Sequence, residues 1–145
     1  MEEAGPPWQT EEARFIIHAF FPLTLLVFRH GRIDVVVNNA GIQPVASCVP
    51  MHVLEDRWWD QLLAVNLTGV YNVCKPVLVA MIEQHRAKVK QGLPRTGGGV
   101  IINMASVQGL LSQQGVPAYA ATKGAMLSLT RQMAMDYGQY GIRGQ

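Results

Sequence analysis

Two short runs of mostly β-branched residues, each followed by a long helical pattern, constrain the fold of this 145-residue chain most strongly. The runs cover residues 33–38 and 100–104, and such runs suit strands that are buried on both faces of a parallel sheet. Helical patterns follow over residues 55–86 and 117–138, and Ile142-Arg143 begins a third run. This order of elements predicts a parallel α/β sheet with right-handed crossovers.

Proline and glycine mark the expected ends of these elements. Pro117 suits the first turn of its helix, whereas Pro76 is expected to kink or interrupt the helical stretch that contains it. Residues 87–99 are predicted to form a loop that is rich in glycine and basic side chains. Before the first run, residues 1–10 read as a disordered lead and residues 11–29 as a helix.

The overall charge and the spacing of the histidines give no indication of a nucleic-acid partner or a metal site. A net charge of +2 gives no argument for a nucleic-acid partner, and the one basic cluster, over residues 86–95, reads as a solvated loop. The four histidines have no metal-like spacing, so no metal site is predicted. Cys48 and Cys74 form no disulfide framework, so we expect reduced thiols and a cytoplasmic protein.

An apolar segment over residues 15–28 raises the question of a membrane span. Its polar side chains are His18 and Thr24, but fourteen helical residues reach only ~21 Å, short of the ~30 Å hydrocarbon core. The chain begins with acidic residues rather than the basic start of a signal peptide. We therefore expect a buried or poorly fitting helix and no membrane span.

Tyr119 and Lys123 lie four residues apart and so share one face of the last predicted helix. An ammonium beside a phenol favours the phenolate, by at most roughly 4 kcal/mol at ~4 Å and an effective dielectric constant of about 20. A tyrosine in that setting can exchange a proton with an alcohol or a carbonyl. The pair alone is weak evidence, because an ordinary surface helix pair has the same spacing.

Ser106 strengthens the interpretation, since it stands just past the second predicted strand. Active sites of open α/β sheets lie at the carboxyl ends of their strands. A hydroxyl there can hydrogen-bond a substrate oxygen and help to stabilise developing negative charge. The alternative is a turn serine, which is common in loops.

Two amide-bearing positions complete the pattern. Asn66 lies inside an apolar helical run, so it is either a satisfied core asparagine or a helix irregularity that holds a water beside the lysine. The sequence Asn38-Asn39-Ala40-Gly41 follows the first strand directly. Small residues there let a cofactor approach the backbone, although an ordinary turn is the simpler alternative.

In this order and spacing the four features resemble the short-chain dehydrogenase/reductase family, from about residue 31 to residue 143. The stretches Gly31-Arg32-Ile33-Asp34, Val65-Asn66-Leu67 and Tyr119-Ala-Ala-Thr-Lys123-Gly-Ala add to the resemblance. It implies a partial, Rossmann-like, doubly wound parallel sheet with three αβα layers over residues 31–145, after an atypical segment over residues 1–30. It also implies an NAD(P)-dependent oxidoreductase that interconverts a small-molecule carbonyl and an alcohol.

The resemblance implies roles for particular residues. Tyr119 would be the general acid/base, and Ser106 would polarise the substrate oxygen. Lys123 would ease deprotonation of the tyrosine and hold the nicotinamide ribose, and Asn66 would position a relay water. The residues expected to line the cofactor, NAD or NADP, are Asn39, Ala40, Gly41, Tyr119 and Lys123.

The resemblance also implies parts that residues 1–30 do not contain. A first strand and a turn similar to Thr-Gly-x-x-x-Gly-x-Gly are expected before residue 31, together with the residue that selects NAD or NADP. Without them, the strand at residues 33–38 would present an unpaired apolar edge that favours aggregation. We therefore expect weak cofactor binding and little activity from the chain alone.

The alternative function follows from the same departure. It is a catalytically inactive fragment that at most associates with full-length subunits. In the family, the helices that match residues 55–86 and 117–138 form the oligomer interface, so the resemblance implies a homo-oligomer.

Overall fold

The computed structural model of this chain describes residues 32–93 and 97–145. The helix predicted over residues 11–29, and the atypical segment over residues 1–30 as a whole, lie outside the described residues. Within the described ranges, the elements alternate between strand and helix in the predicted order.

Three parallel strands form one sheet in the order β1 (Val35–Asn38), β2 (Gly99–Asn103) and β3 (Ile142–Gly144). Val35 lies opposite Val100, and Asn38 lies opposite Asn103 at the carboxyl ends of β1 and β2. Gly99 lies opposite Ile142, so the third predicted run is a strand as well. The parallel α/β fold is therefore confirmed, with strand ends that differ from the prediction by only one or two residues.

The helices are α1 (Asp56–Leu63), α2 (Gly69–Lys90) and α3 (Pro117–Tyr137), and a π-helical turn (Ala64–Thr68) joins α1 to α2. The helical stretch predicted over residues 55–86 therefore contains a widened turn. Of the two expectations for Pro76, a kink or an interruption, the interruption is wrong, because α2 runs through this buried proline.

The predicted loop over residues 87–99 is also too long, because α2 continues to Lys90. Its end is a Schellman motif, in which Leu93 N donates to Lys88 O and Gly92 N donates to Val89 O, both at 3.0 Å. Gly92 has a φ of 71°, which favours glycine. The helix therefore ends where this glycine reverses the chain.

Both long helices pack on the same face of the sheet. The core on this face consists of Val70, Cys74, Val77, Leu78 and Met81 from α2, Met126 and Met133 from α3, and Ile101 and Ile142 from the sheet. Val35 and Val37 point to the opposite face because side chains alternate along a strand, and they are 56% and 54% exposed.

The expectation that the first strand is buried on both faces is thus wrong for the described residues. The helices of the described residues cover one face of the sheet. This helical layer and the sheet together make two of the three expected layers. In the described sheet β1 is an edge strand.

The helical stretch Asp56–Lys90 is long and apolar enough to cross a membrane by length and composition. Its buried side chains, among them Leu62, Val77 and Met81, pack inside this α/β core. This packing accounts for its apolar character.

A buried line of polar side chains connects the two long helices through the sheet. Asn38 Nδ2 donates to Asn103 Oδ1 at 2.8 Å and to Cys74 Sγ of α2 at 3.2 Å. Asn103 Nδ2 donates to Thr130 Oγ1 of α3 at 2.8 Å, and that hydroxyl donates to Met126 O at 2.8 Å. The line crosses β1 and β2 at their carboxyl ends, where the chain leaves the sheet towards the predicted site.

We expect Asn103→Ala to lower the free energy of unfolding by about 1–3 kcal/mol, because two hydrogen bonds of the buried line are lost. The Asn38 amide and the Thr130 hydroxyl both lose a hydrogen bond in this variant. Urea denaturation followed by circular dichroism measures the change. Asn72→Ala, at an exposed position of α2, is the matched control and should not destabilise the protein. Equal stabilities of the two variants would contradict the role of the line.

Candidate active site

The Lys123 ammonium lies at the carboxyl ends of β1 and β2. Lys123 is buried with 5% exposure, and its Nζ donates to Met104 O, just past β2, at 2.5 Å. A Cβ atom at Gly41, which follows β1, would lie 3.6 Å from the same Nζ. This is the edge of the sheet where the sequence predicts the site.

Tyr119 lies one helical turn before Lys123 on α3 and is half-buried. The Lys123 Nζ is 5.7 Å from the centre of the Tyr119 ring. Among the described residues, Met104 O is the acceptor of this ammonium, which has three N–H donors. Burial lowers the pKa of the Lys123 ammonium because the charged form is poorly solvated there.

Ser106 caps the short 3-10 helix Val107–Gly109 that follows β2. Its Oγ accepts a hydrogen bond from Gln108 N at 3.2 Å, and its backbone is extended. A Cβ atom at Gly109 would lie 2.7 Å from Lys123 O, so the serine turn packs directly on the backbone of α3. The close approach places this turn beside the helix that carries the tyrosine and the lysine.

Asn66 lies in the π-helical turn and is fully buried. Its Oδ1 accepts from Ile42 N at 2.8 Å, while its Nδ2 donates to Ile42 O at 2.9 Å and to Thr122 Oγ1 at 3.3 Å. Both sequence interpretations therefore hold in part, since Asn66 is a satisfied core amide and also sits in a helix irregularity. Its side chain clamps the loop after β1 against α3.

Thr122 is a site residue that the sequence argument missed. It is fully buried, and its Oγ1 donates to Tyr119 O at 2.8 Å while it accepts from Asn66. It thus links the π-helical turn to the helical turn that holds the tyrosine. A threonine three residues after the tyrosine, on the same helix face, is the signal that points to it.

The expected cofactor segment is open to solvent. Asn39, Ala40 and Gly41 are all exposed and follow β1 directly. Across residues 32–93 and 97–145, no group of three or more His, Cys, Asp or Glu side chains could hold a metal ion. The structure therefore brings Lys123, Asn66 and Gly41 together. Tyr119 lies one turn before Lys123 on α3, and Ser106 lies in the turn that packs against this helix.

Comparison with known proteins links this arrangement to a family. The family model for short chain dehydrogenases matches residues 24–145. The chain is 40% identical over 113 residues to a 2-(R)-hydroxypropyl-CoM dehydrogenase of Xanthobacter autotrophicus, which covers 78% of the chain and 40% of that relative. The chain thus spans about two fifths of the length of this relative.

Solved structures agree with the sequence comparison. A gluconate 5-dehydrogenase from Burkholderia cenocepacia, in complex with NADP and tartrate, superposes with a TM-score of 0.74 and 37% identity, over 87% of this chain and 44% of that one. An NAD+-bound xylitol dehydrogenase superposes with a TM-score of 0.74 and 30% identity, over 93% of this chain and 45% of that one.

We expect the Lys123 Cε signal in carbon-13 NMR to titrate at lower pH in the folded protein than in protein unfolded by urea, where the ordinary pKa is 10.5. Folding disfavours the charged form, so the free energy of unfolding should rise with pH between the folded-state pKa and 10.5. Lys123→Gln assigns the signal and should remove this rise. A titration at or above the value in urea would refute the burial of the ammonium.

Proposed function

The chain belongs to the short-chain dehydrogenase family, and on that basis we propose that it is an oxidoreductase that interconverts an alcohol and a carbonyl with NAD or NADP. The observation that carries the proposal is the buried Lys123 ammonium at the carboxyl ends of β1 and β2, one helical turn from Tyr119. Burial of a cation costs free energy, and buried charged groups cluster at active sites, where their altered protonation serves the reaction.

In the proposed reaction Tyr119 is the general acid/base. Its hydroxyl gives a proton to the carbonyl oxygen during reduction, and its phenolate takes the proton of the alcohol during oxidation. The Lys123 charge, 5.7 Å from the ring centre, stabilises the phenolate that forms. The Ser106 hydroxyl donates a hydrogen bond to the substrate oxygen. Its Oγ already accepts a hydrogen bond from Gln108 N, and its proton has no acceptor among the described residues.

The residues at the edge of the sheet fit the nicotinamide and ribose half of a dinucleotide. When bound, the cofactor would supply or accept the hydride. Two N–H groups of Lys123 have no acceptor in the described part of the chain, so they would bind the ribose hydroxyls. Asn39, Ala40 and Gly41 are small or polar and exposed, so their backbone would lie along the cofactor.

Asn66 and Thr122 act in this proposal as positioning residues. Both Asn66 side-chain atoms are engaged by Ile42 and Thr122, so the relay water would be held by the backbone of the π-helical turn rather than by the Asn66 amide. Such turns change the helix hydrogen-bonding pattern and are frequent at functional sites. The water would give Lys123 a path for proton exchange with solvent.

A second proposal concerns self-association in the cytoplasm. A cavity of about 380 Å³ between α2 and α3 is lined by Tyr71, Cys74, Lys75, Leu78, Val79, Ile82, Leu129, Gln132, Met133, Asp136 and Tyr137. Tyr71 and Val79 are exposed there, and Lys75 and Asp136 place opposite charges along one groove. In a two-fold pair each charge could face the opposite one on the other copy. A catalytically inactive chain could still use this surface to join full-length subunits.

In a longer form of the protein that supplies the glycine-rich turn expected before residue 31, we expect Tyr119→Phe to reduce turnover by a factor of about 10²–10⁴, because the ring remains and the proton donor is lost. Absorbance of the reduced nicotinamide measures turnover, and its fluorescence measures binding, which should change little. Tyr71→Phe, at an exposed position of α2, should leave both unchanged. Retention of more than a few per cent of kcat would remove Tyr119 from the mechanism.

For the interface, we expect Val79→Asp to weaken self-association, since it buries a charge in an apolar groove. Sedimentation equilibrium measures the dissociation constant. Val53→Asp is the control, because Val53 is similarly exposed (56% against 61%) but lies in the loop after β1. Equal dissociation constants for the two variants would argue against this groove as the contact.

A further inference from the structure

We propose that the substrate is a neutral alcohol or carbonyl compound with a bulky apolar body, held between two uncharged segments. We call residues 42–53 the β1 rim and residues 104–116 the β2 rim, because each follows that strand at its carboxyl end. This inference rests on the proposed function and adds the class of substrate to it.

The two rims enclose the region next to the reacting groups. The β1 rim starts after Gly41, and the β2 rim starts at Met104, and both of these residues lie at the Lys123 Nζ. The rims meet again farther out, where a Cβ atom at Gly115 would lie 3.5 Å from Cys48 O. A substrate whose oxygen reaches Ser106 and Tyr119 therefore extends between the two rims.

Exposed apolar side chains are concentrated on these rims. They are Val45, Met51 and Val53 on the β1 rim and Met104, Val107, Leu110 and Leu111 on the β2 rim. Their exposure ranges from 45% for Met104 to 88% for Val45. Small-molecule sites are predominantly apolar with a few polar groups, so apolar side chains beside the reacting groups suit an apolar ligand.

Neither rim carries a carboxylate, ammonium or guanidinium group. Residues 42–53 and 104–116 contain no Asp, Glu, Lys or Arg, and His52 is their one imidazole. Two of the rim glutamines are also engaged with each other, since Gln108 Nε2 donates to Gln113 Oε1 at 2.5 Å. A carboxylate or phosphate bound between the rims would lose hydration and would find no permanent positive charge on either rim to pair with. The chemistry of the rims therefore favours a neutral ligand.

The test measures binding to the 145-residue chain, in the presence of reduced nicotinamide cofactor, by amide chemical shifts in proton–nitrogen NMR spectra. The probe is 4-tert-butylcyclohexanone, a neutral apolar ketone, and D-gluconate and xylitol are the charged and polyhydroxylated comparisons. We expect the ketone to shift amides of both rims and to bind about tenfold or more tightly than either comparison, as burial of a large apolar group predicts.

Two variants test whether the apolar side chains of the rims bind the ketone. Leu110→Gln should raise the Kd for the ketone about tenfold, since it removes an apolar contact. Met135→Gln is the matched control, because Met135 is similarly exposed (81% against 76%) but lies on α3 away from both rims. It should leave the Kd unchanged.

Several outcomes would overturn the proposal. They are tighter binding of gluconate or xylitol, shifts confined to residues outside the rims, no binding of the ketone, or equal effects of the two variants. A loss of self-association in Leu110→Gln would assign the rims to a second copy of the chain instead. Binding does not depend on turnover, so this test can fail while Tyr119→Phe still abolishes activity, and the two failures are distinguishable.

Discussion

The hydrogen bond between the buried amides of Asn38 and Asn103 is the interaction on which the rest of the structure depends. It joins neighbouring strands at their carboxyl ends and continues to Cys74 on one helix and Thr130 on the other. Backbone pairing fixes the strands relative to each other, and apolar packing holds the helices on the sheet. The polar line has defined donors and acceptors, so it fixes one position of the helices relative to the strand ends.

A second set of hydrogen bonds lies beyond the carboxyl end of β1, around the side chain of Asn66. Asn66 holds both backbone groups of Ile42 and also contacts Thr122, which in turn holds the carbonyl of Tyr119. The loop after β1 and the first turns of α3 are thereby tied to the π-helical turn. The groups proposed to act on substrate come from separate segments, and these shared polar contacts keep them in register.

Much of the candidate site could be predicted from the sequence, because its signals are local. The spacing of Tyr119 and Lys123 fixes their common helix face, and Ser106 follows a strand that its β-branched residues identify. The relation of Lys123 to Met104 could not be predicted, because the acceptor is a backbone carbonyl and carries no sequence signal.

Other features depend on contacts that no single segment encodes. In the π-helical turn, Asn66 accepts a hydrogen bond from Ile42 N, 24 residues earlier in the chain. The passage of α2 through Pro76 likewise has no local sequence signal, because a proline alone predicts a kink or an interruption. The exposure of Val35 and Val37 depends on which helices cover which face, whereas the β-branched pattern only indicates a strand. By contrast, Gly92 and the two lysines before it do carry a local signal for the end of α2.

The contact between Gly109 and the Lys123 carbonyl has a consequence for how the site can vary. Where a Cβ would come within 2.7 Å of a backbone oxygen, the two chains already touch main chain to main chain. Two peptide segments cannot approach more closely, so the gap between the serine turn and the tyrosine helix stands at its minimum. Any change at this position can only widen the gap. The single hydrogen atom that Gly109 carries in place of a side chain therefore sets how closely the serine turn can lie to the helix of Tyr119 and Lys123.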